Sequence, residues 1–147
     1  MRNPLAAAVM ALAVAWSTGP APAQDAVDVV TVVTSADPQT QLMAMVLTMQ
    51  AAQQGASVHM LLCGPAGDIA LREAPATATA GQPPRDMSPQ GLMEAIRTQT
   101  GATVEVCAIY LPGRGADASV LLEGVGVADP AAMAARMIAP NTRVLAF

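Results

Sequence analysis

Apolar residues along this chain follow two alternating rhythms. Val27 to Thr34 (VDVVTVVT) and Ala56 to Cys63 (ASVHMLLC) are short apolar runs with little polar interruption. That is the pattern of strands buried on both faces of a sheet. Ala102 to Leu111 (ATVEVCAIYL) and Thr142 to Phe147 (TRVLAF) repeat it. Between these runs the spacing becomes helical: Leu42, Met45, Val46, Met49 and Ala52 form one stripe, and Leu92, Ala95 and Ile96 another. The boundaries have their own chemistry. Asp37-Pro38, Ser88-Pro89 and Asp129-Pro130 each set an N-capping side chain before a proline suited to the first helical position. Gly55 and Gly101 supply left-handed stops to the first two helices. The third runs to about Ala139, before Pro140, and Asp117 to Glu123 predicts a further short helix.

Strands alternating with helices imply a parallel sheet covered on both faces. The expected fold class is therefore α/β: a three-layer α/β/α domain with a mostly parallel sheet of four to five strands. Ala74 to Met87 (APATATAGQPPRDM) has no periodicity and reads as one long loop. Loops of that length in a compact domain are usually functional.

The first 24 residues follow a different logic. Arg2 precedes an unbroken apolar run of 12 residues, Leu5 to Trp16, which Gly19 and Pro20 end. Ala21-Pro22-Ala23 then offers the small residues a signal peptidase reads. This is the pattern of a secretory signal peptide over 1–23, cleaved after Ala23, with the domain occupying 24–147. The run is shorter than the roughly 20 residues that span a bilayer, and no other stretch is long enough. The expectation is a periplasmic or secreted protein with no membrane attachment after cleavage.

Composition narrows the partners. The segment after Ala23 has six Arg and no Lys against eleven Asp and Glu, a net charge of −5. Aromatic residues make up 2% of the chain. A nucleic-acid surface needs a basic face and stacking rings, so nucleic acid is excluded as a partner. One His and two Cys cannot form a four-ligand zinc site. Thioether and thiolate ligands favour Cu(I), which would draw on His59, Met60, Cys63 or Cys107. Met45 and Met49, however, lie on a helix stripe as core filler. No metal and no other cofactor is expected.

Open parallel sheets bind ligands beyond the carboxyl ends of their strands. Here those ends are Thr34-Ser35, Cys63-Gly64-Pro65 and Cys107 to Pro112, so both cysteines fall where the fold expects a site. Gly64-Pro65-Ala66-Gly67 lacks the lysine and spacing of a phosphate loop. His59 lies mid-strand, where a part-buried, hydrogen-bonded histidine is the plain reading. A thiolate needs nearby positive charge, and Arg114 lies one loop beyond Cys107. The plain alternative for Cys107 is a small buried core residue. If the two cysteine strands are neighbours, an interstrand spacing of roughly 4.8 Å puts Cys63 and Cys107 within disulfide reach, and an exported chain meets an oxidising compartment.

The run Gly101-Ala-Thr-Val-Glu-Val-Cys107, followed by Ala-Ile-Tyr-Leu-Pro-Gly-Arg114-Gly115, resembles the DsrE/TusD sulfur-relay family. The opening VVTS strand and the closing Arg143-Val-Leu-Ala-Phe147 strand match it in order and spacing. The resemblance implies a DsrE-like domain, a homo- or hetero-oligomer with the homo-oligomer expected, and a sulfur carrier or sulfurtransferase that holds sulfane sulfur as a persulfide on Cys107. It also implies a protein sulfur donor or acceptor. Arg114 and Gly115 would support the site, and Cys63 would be a second thiol. Sulfur-relay members work in the cytoplasm, and the signal peptide departs from that pattern. Two alternatives stand beside the carrier: a non-catalytic periplasmic binding or assembly module on the same fold, and a thiol/disulfide redox protein using Cys63 and Cys107.

Overall fold

The computed structural model describes residues 27–147; the segment 1–23, read above as a signal peptide, lies outside them. Five strands form one sheet: β1 (Asp28–Val33), β2 (Ser57–Leu62), β3 (Thr103–Val106), β4 (Val125–Val127) and β5 (Thr142–Ala146). Their order is β4-β3-β2-β1-β5, and every pairing is parallel. The helices are α1 (Pro38–Gln53), α2 (Ala76–Thr79), α3 (Pro89–Thr100), α4 (Tyr110–Gly113) and α5 (Pro130–Met137). Two 3₁₀ segments, Gly64–Ala70 and Ala118–Val120, complete the connections. Among the described residues no helix is long and apolar enough to cross a membrane.

The cap-then-proline syntax works at all three sites. Asp37 accepts from the Thr40 amide, Ser88 from Gly91 and Asp129 from Ala132, at 2.7, 3.0 and 2.8 Å. Each bond satisfies one of the amides a helix start leaves without an internal partner. Gly101, at φ 72°, ends α3 in the left-handed conformation that costs glycine no Cβ clash.

Side-chain parity along the strands divides the core. Val29, Val33, Val58, Met60, Leu62, Val104 and Val106 face one way and pack with Ala44, Met45, Leu92, Met93 and Ile96 of α1 and α3. Val30 and Leu61 face the other way and meet Ala128 and Met133, so α5 covers this second face. Topology accounts for the split. The chain steps outward from β1 to β4, then crosses back to place β5 on the far side of β1. Right-handed crossovers in opposite directions put their helices on opposite faces.

Five details differ from the sequence reading. Ala102 to Leu111 is mostly apolar, yet the strand ends at Val106. The Cys107 carbonyl accepts from the Tyr110 amide and starts a turn, and Tyr110 and Leu111 are buried as α4 rather than as strand. Strand β4 had no signal of its own, because three residues reading Val-Gly-Val give no period. The segment Asp117 to Glu123 forms only the 3₁₀ turn Ala118–Val120, and the long loop contains the single helical turn α2. On α1 the buried face is Gln41, Ala44, Met45 and Thr48, whereas Val46 is 36% exposed. Thr48 donates to the Ala44 carbonyl at 2.7 Å, leaving its oxygen to accept from buried Thr31 of β1 at 2.8 Å. A satisfied hydroxyl pair thus occupies a core position that an apolar stripe would not assign to threonine.

Candidate functional site

Register builds the site. Leu62 of β2 pairs with Val106 of β3, so Cys63 and Cys107, one residue on, face each other at the carboxyl ends of adjacent parallel strands. The ladder continues through both: the Cys107 amide donates to the Leu62 carbonyl and the Cys63 amide to the Val33 carbonyl, each at 2.9 Å. Parity sends both side chains to the second face of the sheet, alongside Leu61, Val32 and Met137. Their Cα atoms are 5.1 Å apart and their sulfurs form a disulfide. Both cysteines are half-buried, and the flanking Gly64, Pro65 and Ile109 are exposed, so the bond sits at the rim rather than in the interior. It closes a sequence separation of 44 residues.

The chain leaves each cysteine sharply. Gly64, at φ 53°, turns the backbone into the 3₁₀ segment, and the Cys107 carbonyl begins the turn into α4. These two exits meet. Tyr110 donates its hydroxyl to Asp68 Oδ1 at 2.6 Å, and Arg114 Nη1 donates to the same oxygen at 2.8 Å. The Arg114 guanidinium also stands 5.4 Å over the Tyr110 ring, within cation–π range. The ring packs against Gly67, where any Cβ would overlap it. Burial, and then the Asp68 carboxylate, raise the Tyr110 pKa above the ordinary tyrosine value, so the hydroxyl stays a neutral donor. Arg114 also borders an open cleft of about 440 Å³ with Arg72, Glu73 and Ser119.

Farther back on the cysteine face, His59 Nε2 and Glu105 Oε2 are 2.6 Å apart, and His59 is 8% exposed. This is the part-buried, hydrogen-bonded histidine that its place mid-strand suggested. Among the described residues no group of three or more His, Cys, Asp or Glu could hold a metal ion.

The structure therefore joins Cys63 to Cys107 and sets Arg114 and Gly115 in the loop beyond. Arg114 is engaged with Asp68 and Tyr110, and Gly115 takes a left-handed turn at φ 63°. Sequence reasoning missed Asp68 and Tyr110. Among the acidic residues, Asp68 and Glu105 each have a specific partner. The available signal was position: both Asp68 and Tyr110 lie within five residues after a cysteine.

No protein-family model matches the chain, and no curated protein matches it in sequence. Solved structures do. The YchN protein of E. coli, which has a DsrE-like fold, superposes with a TM-score of 0.64 at 19% identity over 84% of this chain and 100% of its own. MTH1491 of Methanobacterium thermoautotrophicum, a protein of unknown function, gives 0.58 at 15% identity over 84% and 100%. The likeness is one of fold, and the fold is the DsrE-like one.

Proposed function

We propose that this DsrE-like chain handles sulfane sulfur, with Cys107 as the thiol that accepts and donates it and the Cys63–Cys107 disulfide as the oxidised resting form of the same site. The observation that carries the reading is the placement of two half-buried sulfurs at the carboxyl rim of a parallel sheet, where open α/β folds present their chemistry. Persulfide transfer asks little of a protein: an ionisable thiol, a route for a second sulfur and no buried charge to balance. Reduction of the bond supplies the thiol. Arg114 is paired with Asp68 and held over the Tyr110 ring, so the support it gives is to the loop that carries Cys107.

The test uses reduced, folded protein and inorganic polysulfide as donor, with peptide masses read after alkylation. The expected result is a gain of about 32 Da, one sulfur atom, on Cys107, and no gain there after Cys107→Ser. Equal loading of the Cys107→Ser protein, or none in either, overturns the carrier.

The disulfide specifically favours a second reading, a thiol/disulfide redox protein in which Cys63 and Cys107 exchange electrons with a partner dithiol. That reading predicts exchange with small dithiols and no sulfur gain from polysulfide. Work outside the cytoplasm is part of the proposal, and the disulfide supports it, since such bonds persist in oxidising compartments. Assembly as a homo-oligomer is a further part. Exposed Met43 and Leu47 on α1, with Ile138 after α5 at 83% exposure, supply apolar surface for it. Sedimentation of the protein without its first 23 residues tests this, and a monomer at micromolar concentration contradicts it.

A further inference from the structure

We infer that hydrosulfide is a direct substrate of the oxidised protein: it opens the Cys63–Cys107 bond, leaving a persulfide on Cys107 and a free thiolate on Cys63. This deepens the sulfur-handling reading and rests on it, adding a way to load Cys107 and a role for Cys63. The electrons balance within the site. The hydrosulfide sulfur forms a bond to Cys107 Sγ while the Cys63–Cys107 bond breaks. The bonding pair leaves on Cys63 Sγ, which takes a proton from solvent. The attacking sulfur is oxidised to the sulfane level, the Cys63 sulfur is reduced to a thiol, and no outside oxidant enters. In reverse, the Cys63 thiolate attacks Cys107 Sγ and expels hydrosulfide.

Two observations favour this partner, and the direction follows from the reading it rests on. The sulfurs are half-buried, so access favours a small anion over a bulky thiol. Attack on a disulfide runs along the S–S axis, and this bond bridges β2 and β3 across the strand direction. Thr34 stands beside Cys63 on the β1 side, and Ala128, buried where α5 begins, stands beside Cys107 on the β4 side. Packing does not choose the end attacked; the sulfur-handling reading, which gives Cys107 the sulfur, does. Finally, the two cysteines are held in register by strand hydrogen bonds on both sides. After opening, Cys63 stays beside Cys107, poised to close the bond again.

The experiment treats oxidised wild-type protein, without its first 23 residues, with sodium sulfide, then alkylates and maps masses. The expected result is an alkylated thiol on Cys63 and about 32 Da of extra sulfur on Cys107. A companion measurement loads the reduced protein with polysulfide, removes the donor and follows sulfide release. Wild type releases sulfide and regains the disulfide, whereas Cys63→Ser keeps its sulfur over the same period. Extra sulfur on Cys63 instead of Cys107 overturns the inference, as does a disulfide untouched by sulfide. If polysulfide still loads Cys107 in that last case, the carrier reading survives and only this inference fails; if it does not, both fail.

Discussion

At the scale of single residues, the site depends on how Tyr110 is held. Its hydroxyl shares Asp68 Oδ1 with Arg114, and its ring lies on the bare backbone of Gly67. Tyr110→Phe removes one hydrogen bond to a carboxylate that keeps its arginine, at a cost of about 1 kcal/mol in a urea melt. The same variant has a pH signature. The folded state raises the Tyr110 pKa, so the unfolded chain releases this proton first, near pH 10 or so. The stabilisation is complete below that pH and is lost as pH rises through the folded value. Urea midpoints across the alkaline range should fall less in Tyr110→Phe than in wild type; parallel falls would contradict the assignment. The acid limb runs the other way. Bonds from Thr40 and from Ser119 lower the pKa of the capping carboxyls of Asp37 and Asp117. Their contribution is present above about pH 4 and fades as pH falls through the folded values.

At the scale of elements, capping and burial make separate predictions for one helix. Ser88→Ala leaves the Gly91 amide at the start of α3 without its acceptor and should cost about 1 kcal/mol. Ile96→Ala, on the fully buried face of the same helix, should cost about 2–5 kcal/mol. Gln39→Ala, on exposed α1 surface, should stay within about 0.5 kcal/mol. Equilibrium unfolding of the three variants checks the ranking. The same contrast shows which elements were legible in the sequence. The three helices with a cap and a proline could be placed to within a few residues, because those signals act locally. The end of β3 was not legible, because Tyr110 and Leu111 continue the apolar run while leaving the sheet. An apolar run reports burial, and only the Cys107–Tyr110 turn says where pairing stops. The cysteines followed the same rule in their favour, since register carried both to one rim. The Asp68–Tyr110 contact spans 42 residues and has no local signature.

At the scale of the whole molecule, a single covalent link crosses from β2 to β3 over a core that stands without it. The two faces are closed by α1, α3 and α5, and the large core side chains Met45, Met60, Ile69, Met93 and Ile96 are fully buried. Closing a loop of 44 residues contributes about 2–4 kcal/mol, which falls below the roughly 5–15 kcal/mol typical of a stable domain. Reduction should therefore lower the unfolding midpoint without unfolding the protein. All of the sulfur chemistry above requires that outcome, because a bond that opens only when the sheet comes apart can neither present Cys107 nor return to Cys63. The direct measurement counts free thiols in native buffer against increasing dithiothreitol while far-UV circular dichroism of α1, α3 and α5 reports the fold. The account predicts two thiols, at Cys63 and Cys107, appearing with the helical signal retained. Thiols that appear only as that signal collapses would contradict it.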